Sequence, residues 1–334
     1  MKTSVALATY NGEKYIEEQL DSIRRQKKKV DEVIICDDQS NDGTVSIIQT
    51  YIQKYELENW KIIINEKNKG FIGNFFEALK RVTGDFVFLC DQDDVWCEDK
   101  VEKMLSLMLH NKKIQALNSA VCLIDGKGYQ KPVTLKRGYC NANILHKRVK
   151  SNDLVCIDIP FLVKSNISPG CTMCITRQLK NEFLPYENMC VESKFPHDWF
   201  LNILAGMKKG AYFYNVPLIQ YRIHGENTIG IAEQQQVNGK INSTRKQRKE
   251  IGEFHKNRAI LLDEKLEFQK KDKAYIKKYR KFTEERYAFL EELSFKKLLG
   301  IYKDIKIYYD SVEIKGMLSD LLYALGLDNK LRQR

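Results

Sequence analysis

The sequence predicts an α/β protein with a mostly parallel central sheet, followed by a helical extension. Short apolar runs typical of strands alternate with segments in which apolar residues recur every three or four positions, as they do in helices. This alternation indicates βαβ units, which form parallel sheets with right-handed crossovers. Beyond about residue 245 the strands stop, and long charged segments with a helical repeat follow.

The alternation is clearest before residue 90. Strands are predicted at Val5 to Thr9, Val33 to Cys36, Ile62 to Ile64 and Phe86 to Cys90. The helices between them carry apolar stripes formed by Ile16, Leu20 and Ile23, then by Ile47, Ile48, Tyr51, Ile52 and Tyr55, and then by Phe75, Phe76, Leu79 and Val82. Because the run from Phe86 to Cys90 is apolar throughout, we expect that strand to be buried on both faces of the sheet.

The pattern is less regular from residue 100 to residue 230. It predicts a helix over Val101 to Met108, one or two strands within Ile114 to Ile124, a variable insertion over residues 125 to 165, a strand after Pro169, a helix that begins at His197 and a strand over Val216 to Tyr221. We therefore divide the chain into residues 1–235, which hold the sheet, and residues 236–334, a basic helical extension.

The composition is that of a globular protein in a reducing compartment. Hydrophobic residues make up 43% of the 334 positions, and no apolar run approaches the roughly 18 residues that a spanning helix needs. The apolar start ends at Asn11, too early for a signal peptide. The nine cysteines are an odd number. Cys171 and Cys174 have zinc-knuckle spacing, but no second pair stands near them, so we favour no metal or redox role there. We expect a cytoplasmic protein.

The net charge of +11 is uneven, because residues 231 to 334 hold 24 lysines and arginines against 16 acidic residues. Such a tail suits an anionic lipid surface, nucleic acid or simply solvent. Since the lysines alternate with glutamates, a solvated helical surface is the simplest interpretation. Peripheral contact with the inner face of the cell membrane, through the segment from Phe295 to Leu327, is the alternative, and we expect no nucleic acid partner.

Carboxylates follow directly after the predicted buried strand, at Asp91, Asp93 and Asp94. In open α/β sheets ligands bind beyond the carboxyl ends of the strands, where the loops over residues 9–13 and 37–42 should also lie. Three carboxylates so close repel one another unless a cation or hydrogen-bond donors compensate. Mg²⁺ or Mn²⁺ would do so, because both prefer oxygen ligands. The alternative is a solvated acidic turn that caps the next helix.

The glycine-rich phosphate loops of other nucleotide-binding folds are missing. No Gly-x-Gly-x-x-Gly follows the first strand, and no Gly-x-x-x-x-Gly-Lys-Ser/Thr occurs, which argues against dehydrogenases and P-loop enzymes. His197 and Asp198 stand at the start of a predicted helix, where a carboxylate is stabilised by the helix dipole without any catalytic task.

Six blocks in order over residues 3 to about 230 resemble the inverting glycosyltransferases of family 2, which have the GT-A fold, and in particular their bacterial rhamnosyltransferase-like branch. The blocks are Ala8-Thr9-Tyr10-Asn11-Gly12, Cys36 to Thr44, Asp91-Gln92-Asp93-Asp94-Val95-Trp96, Gly170-Cys171-Thr172-Met173, His197-Asp198-Trp199 and Tyr221 to Asn227. The resemblance does not extend to the tail. It implies transfer of a sugar from a nucleotide-sugar donor to a hydroxyl of a glycan or lipid-linked glycan.

The resemblance also implies roles for single residues. Thr9, Tyr10, Asn11 and Glu13 would hold the nucleoside together with Asp38, with Tyr10 against the pyrimidine face. Asp91 would approach the ribose or the metal, Asp93 would ligate Mg²⁺ or Mn²⁺, and His224 would be an extra metal ligand. Arg222 would belong to the segment that closes over the pyrophosphate. Asp198 matches the general base, and His197 is a weaker second candidate.

Within the family, dTDP-rhamnose is the first choice of donor, and UDP-hexoses are the alternative. Two further classes of protein compete with this interpretation. A nucleotidyltransferase would also use acidic metal ligands, but it would show a glycine-rich loop near the first strand, which Ala8 to Gly12 lacks. A non-catalytic scaffold of a polysaccharide assembly complex would not need the carboxylates at positions 38, 93 and 198.

Overall fold

The structure is a computed structural model, and it describes residues 1–132, 149–224 and 245–327. The chain divides into two compact units, Met1–Gln236 and Val237–Arg334, which are taken separately below. The predicted boundary between residues 235 and 236 lies outside the described residues and stays a prediction. The same holds for the end of the sixth sequence block, Gly225 to Asn227.

The first unit is built on one ten-stranded sheet. Its strands are β1 (Thr3–Thr9), β2 (Glu32–Asp37), β3 (Trp60–Ile64), β4 (Phe86–Cys90), β5 (Val95–Trp96), β6 (Ala116–Asp125), β7 (Gln130–Lys131), β8 (Leu154–Cys156), β9 (Met173–Thr176) and β10 (Ala211–Ile223). Their order is β3-β2-β1-β4-β9-β6-β10-β5, with β7 beside β6 and β8 beside β10. The longer ladders, β3-β2-β1-β4 and β6-β10, are parallel, and the shorter ones are antiparallel. The predicted α/β fold with a mostly parallel sheet is confirmed.

Helices cover this sheet. They are α1 (Ile16–Arg24), α2 (Thr44–Lys54), α3 (Gly70–Arg81), α4 (Lys100–His110), α5 (Ile159–Leu162), α6 (Arg177–Phe183), α7 (Glu187–Glu192) and α8 (His197–Met207). The predicted apolar stripes face the sheet, and Ile16, Leu20 and Ile23 are buried. Val82 differs from the prediction, because it follows the end of α3 in an extended conformation.

Strand β10 is longer than the sequence pattern predicts. Its pairing with β6 shifts register on either side of Pro217. Proline has no amide hydrogen for a ladder bond and therefore sits at irregularities of a strand. The alternation of buried and partly buried residues is regular over Ala211 to Val216 and is broken beyond Val216.

Three parallel strands, β1, β2 and β4, have their carboxyl ends at one edge of the sheet. In the register of β1 and β2, Thr9 pairs with Asp37, and in that of β1 and β4, Leu7 pairs with Cys90. All five residues of β4 are buried, as predicted. The loops that follow these strands must therefore meet, as the sequence indicated for the acidic segments.

Strand β9 joins the two halves of the sheet. It is antiparallel to both of its neighbours, β4 and β6. The segment before it, Gly170–Thr172, is a short 3₁₀ turn that lies at the same edge as the loop after β4. Helix α8, on the other half, also begins at this edge, so both halves contribute to what lies there.

The second unit is helical. Its helices are α9 (Arg245–Lys265), α10 (Lys270–Glu292), α11 (Phe295–Ile301) and α12 (Ile305–Ala324). Tyr279, Phe289 and Tyr308 are buried in its core. The buried Asp320 carboxylate accepts hydrogen bonds from Arg286 Nε at 3.0 Å and from Tyr308 Oη at 2.8 Å. Among the described helices, none has a stretch long and apolar enough to cross a membrane.

Candidate functional site

A cavity with a volume of about 670 Å³ lies at the carboxyl edge of the sheet in the first unit. Nine of the eleven residues that the sequence singled out line it: Thr9, Tyr10, Asn11, Asp38, Asp91, Asp93, His197, Asp198 and His224. They come from the loops after β1, β2 and β4, from the start of α8 and from the end of β10. The structure thus brings these residues together, while the role of each stays a prediction.

The loop after β1 is held by the side chain of Gln92, from the loop after β4. Gln92 clasps the backbone of Tyr10, accepting from its nitrogen at 2.8 Å and donating to its oxygen at 2.9 Å. A side chain at Gly12 would collide with Gln92, since an added Cβ would lie 2.3 Å from Oε1. Tyr10 is 45% exposed and lines the cavity, where an aromatic side chain suits a planar ligand.

Asp38 is 2% exposed, and its orientation is set by surrounding donors. Its carboxylate accepts hydrogen bonds from Asn65 Nδ2 at 2.8 Å and from the Lys69 backbone nitrogen at 2.8 and 3.0 Å. The Asp38 backbone nitrogen donates to the Thr9 oxygen at 2.9 Å. A carboxylate has about four acceptor positions, so Asp38 can still accept from a ligand N–H group in the cavity.

The carboxylates after β4 form a polar cluster, of which Asp91 and Asp93 line the cavity. Oxygens of Asp91 and Asp94 and the sulfur of Cys171 lie within 4.8 Å of one another. Asp93 Oδ2 lies 2.8 Å from His224 Nε2. The ring of His224 packs against Tyr15, with 5.0 Å between the ring centres. Carboxylate oxygens and one imidazole nitrogen are a donor set that suits a hard divalent cation.

Burial and mutual repulsion disfavour charge at this cluster. Burial first, and then the charges of Asp94, Asp93 and Asp198, raise the pKa of Asp91 well above its usual range. Burial and the Asp93 charge raise the pKa of Asp94 to about 7. Burial also raises the pKa of the Cys171 thiol well above its usual range, which disfavours the thiolate. The donor set therefore suits a cation that binds oxygen.

Two buried cations lie behind the cluster. The Arg222 backbone nitrogen donates to Asp94 Oδ1 at 2.9 Å, and its Nε donates to the Asp93 backbone oxygen at 2.7 Å. Lys100 is fully buried; its ammonium donates to the Cys171 backbone oxygen at 2.5 Å and lies 4.1 Å from the ring centre of Trp96. Lys100 is the first residue of α4, where the helix dipole disfavours a cation. The nearby acidic side chains compensate for that placement.

Two of the predicted site residues do not line the cavity. Glu13 Oε2 accepts from the Gly43 backbone nitrogen at 2.6 Å, at the start of α2. The guanidinium of Arg222 is buried and donates to Glu18 Oε2 at 2.5 Å, on a side chain that is itself 55% exposed. Their roles in donor binding stay predictions. In the structure both side chains bond to other parts of the first unit. Sequence reasoning saw the residue types but not the direction of the side chains.

His197 and Asp198 are adjacent in sequence but have different surroundings. His197 is 4% exposed and stacks on Phe75 with ring centres 4.0 Å apart, and neither of its ring nitrogens has a hydrogen-bond partner among the described residues. Burial lowers the pKa of His197 to about 3, so the imidazole is neutral near pH 7 and is a weak base. Asp198 is 9% exposed, and its Oδ2 accepts from Asn166 Nδ2 at 2.8 Å.

Sequence reasoning missed the residues that orient the site, namely Asn65, Gln92, Lys100 and Asn166. Asparagine and glutamine in loops are read as turn or surface residues, and nothing in their spacing shows a partner that is far away in the chain. Lys100 follows Glu98 and Asp99 in the sequence, where a lysine is expected to face solvent. The sequence offers one signal for Gln92 and Lys100, which is that both lie close to the aspartates at positions 91, 93 and 94.

Comparisons with known proteins show what the chain is similar to. The model of "Glycosyl transferase family 2" matches residues 4–166. A curated relative, the dTDP-rhamnosyl transferase RfbG of Shigella flexneri, is 29% identical over 237 residues, which are 67% of this chain and 73% of that protein.

Solved structures share the fold. S. aureus TarS 1–349 in complex with UDP-GlcNAc matches with a TM-score of 0.57 and 17% identity, over 100% of this chain and 92% of that one. The mannosyltransferase PcManGT from Pyrobaculum calidifontis, in complex with GDP-Man and Mn²⁺, matches with a TM-score of 0.51 and 15% identity, over 97% and 87% of the two chains. At this identity the likeness concerns the fold. Taken with the family model and the curated relative, it shows a glycosyltransferase with the GT-A fold, in which residues 4–166 match the family 2 model.

Proposed function

We propose that the chain transfers a sugar, with inversion, from a nucleotide-sugar donor to a hydroxyl of a cell-surface polysaccharide or a lipid-linked oligosaccharide. The observation that carries this proposal is that Asp38, Asp93 and Asp198, which belong to three separate elements, line one cavity. Rhamnose from dTDP-rhamnose is the first choice of donor, supported by the likeness to RfbG over two thirds of the chain.

In this proposal the loops after β1 and β2 bind the nucleoside. The exposed ring of Tyr10 offers a face on which the base stacks, and Asp38 accepts the N–H of a pyrimidine ring. Thr9 and Asn11 complete the wall. Because donors from Asn65 and Lys69 already fix the Asp38 carboxylate, its orientation does not have to be established when the donor binds.

Asp93, Asp91 and His224 would hold Mg²⁺ or Mn²⁺. The donor set suits either ion, and the neighbour PcManGT was solved with GDP-Man and Mn²⁺. A cation bound there supplies positive charge for the departing nucleoside diphosphate. His224 and Asp93 already contact each other, so they approach the ion as a pair.

Asp198 is the proposed general base. Direct displacement at the anomeric carbon needs a group that takes the proton of the acceptor hydroxyl as the new bond forms. Asp198 lines the cavity and is held by Asn166, whereas the neutral His197 is too weak a base for this task near pH 7. His197 and Phe75 instead form an apolar wall beside it.

A scaffold without activity is the second candidate. The observation that favours it is a surface of the second unit. Leu299 and Ile305 are more than half exposed, at 55% and 57%, and the lysines Lys296, Lys303 and Lys306 nearby are exposed too. Exposed apolar side chains among lysines suit an anionic membrane surface. We propose such peripheral contact for the enzyme as well, since it would bring the chain to a lipid-linked acceptor.

A donor panel tests the proposed function. We expect dTDP-rhamnose with Mn²⁺ to raise the melting temperature by about 5 °C at a hundred times its Kd, because a ligand of the folded state stabilises it by mass action. We also expect release of dTDP when acceptor is present. A larger rise in melting temperature with a UDP-hexose would identify that sugar nucleotide as the donor instead. If no sugar nucleotide released its nucleoside diphosphate, the scaffold would be supported.

Asp198→Asn should lower kcat by about 10²- to 10⁴-fold while donor binding persists, because it removes the base and keeps the shape. His197→Gln serves as the neighbouring control and should lose less than about tenfold. Steady-state kinetics with donor binding by calorimetry measures both. Full activity in Asp198→Asn would show that the base is a different group.

Asp93→Asn should abolish the rise in melting temperature that Mn²⁺ and the nucleoside diphosphate produce together in the wild type. The matched control is Asp85→Asn, which alters a carboxylate at the opposite end of the same strand, β4, and should keep the rise. Differential scanning fluorimetry with and without a chelator measures the effect. An equal rise in the Asp93 variant would remove this residue from the metal site.

Vesicle sedimentation of the full chain tests the membrane contact. We expect binding to vesicles that contain phosphatidylglycerol and none to pure phosphatidylcholine. Leu299→Glu should weaken binding about tenfold, because it removes one apolar side chain that would enter the bilayer and adds repulsion from the anionic headgroups. Leu109→Glu, at an exposed leucine of the first unit, is the control. Equal binding by both variants would argue against this surface.

A further inference from the structure

A chain of three buried asparagines extends from the interior of the first unit to Asp198. Asn118 lies on β6, Asn202 on α8 and Asn166 on the segment between α5 and β9. Asn118 and Asn202 are 0% exposed, and Asn166 is 5% exposed. Fully buried amides are costly unless they are hydrogen-bonded, so a row of them in a core calls for an explanation.

Asn166 uses all of its hydrogen-bonding capacity. Its Nδ2 donates to Asp198 Oδ2 at 2.8 Å and to the Ser168 backbone oxygen at 3.0 Å. Its Oδ1 accepts from the Ile167 backbone nitrogen and from Asn202 Nδ2, both at 2.9 Å. If the amide were turned over, its oxygen would face two acceptors and its nitrogen two donors. The donor side of Asn166 is therefore directed at Asp198.

The next two members hold Asn166 in turn. Asn118 Nδ2 donates to Asn202 Oδ1 at 2.8 Å, and Asn202 Nδ2 donates back to Asn118 Oδ1 at 3.2 Å. Asn118 Nδ2 also donates to the Tyr212 backbone oxygen at 3.2 Å. The chain is thereby anchored to the ladder of β6 and β10, so the rigid sheet determines the direction of the last amide.

We propose that Asn166 is a positioning residue for the reaction, which fixes the orientation of the Asp198 carboxylate through its hydrogen bond to Oδ2. This inference rests on the proposed function, because it assigns Asp198 as the base. Asp198 Oδ1 accepts from the Trp199 backbone nitrogen at 2.7 Å, so both oxygens are oriented before any substrate binds.

A double-mutant cycle tests the proposal. We expect Asn166→Ala to lower kcat about 10- to 100-fold with little change in KM for the donor, because it removes a hydrogen bond to a charged group that acts in the chemical step. In the Asp198→Asn background the same substitution should change the residual rate by less than about twofold. The loss of a residue that acts only on stability would lower kcat by the same factor in both backgrounds.

Asn215→Ala is the matched control. Asn215 is 1% exposed on β10, and its loss removes the same side-chain atoms from the same unit. We expect a lower melting temperature and an unchanged kcat. If Asn166→Ala does not fold, Asn202→Ala, which contacts Asn166 and not the carboxylate, enters the same cycle and should lower kcat by a smaller factor.

The outcomes separate this inference from the proposed function. A wild-type chain that releases no nucleoside diphosphate, or an Asp198→Asn variant with full activity, overturns both. If the wild type is active and Asp198→Asn is impaired, two outcomes overturn the inference alone. One is full kcat in Asn166→Ala, and the other is an equal loss of kcat in both backgrounds.

Discussion

The structure of the first unit depends on how it accommodates crowded carboxylates at the end of β4. Asp91 and Asp94 repel each other and Asp93 in a buried setting, as the raised pKa values of Asp91 and Asp94 show. Such a cluster persists only if the surrounding fold supplies donors and opposite charge. Arg222 donates hydrogen bonds to Asp94 and to the Asp93 backbone. Lys100 adds a buried positive charge next to Cys171. The cavity side is left for a ligand or a cation.

The same division between a supporting side and an open side recurs around the cavity. Asp38 is held by Asn65 and Lys69, and Asp198 by Asn166, while each of these carboxylates also lines the cavity. Polar side chains within the core fix the carboxylates, so that a substrate meets groups that are already oriented. Preorganisation of this kind is the main contribution that a protein makes to transfer between two bound molecules.

Much of the fold could be predicted, because its signals are local. The run from Phe86 to Cys90 is apolar and ends in aspartates, and the helical stripes repeat without interruption. Nine of the predicted site residues share a cavity, since parallel strands bring their loops to one edge. The directions of Glu13 and Arg222 were not predictable, because each depends on a partner from another element, Gly43 or Glu18. Asn166 and Lys100 carry no local signal, since their partners are remote in sequence.

Strand β9 has a consequence for how such a chain can diversify. Its antiparallel pairing with β4 and β6 is the seam between the half that carries Asp38 and Asp93 and the half that carries Asp198. Exchanges of sequence on the far side of β9 therefore leave the ladder of β1, β2 and β4 intact. The surroundings of Asp198 can therefore change while the edge that carries Asp38 and Asp93 keeps its geometry.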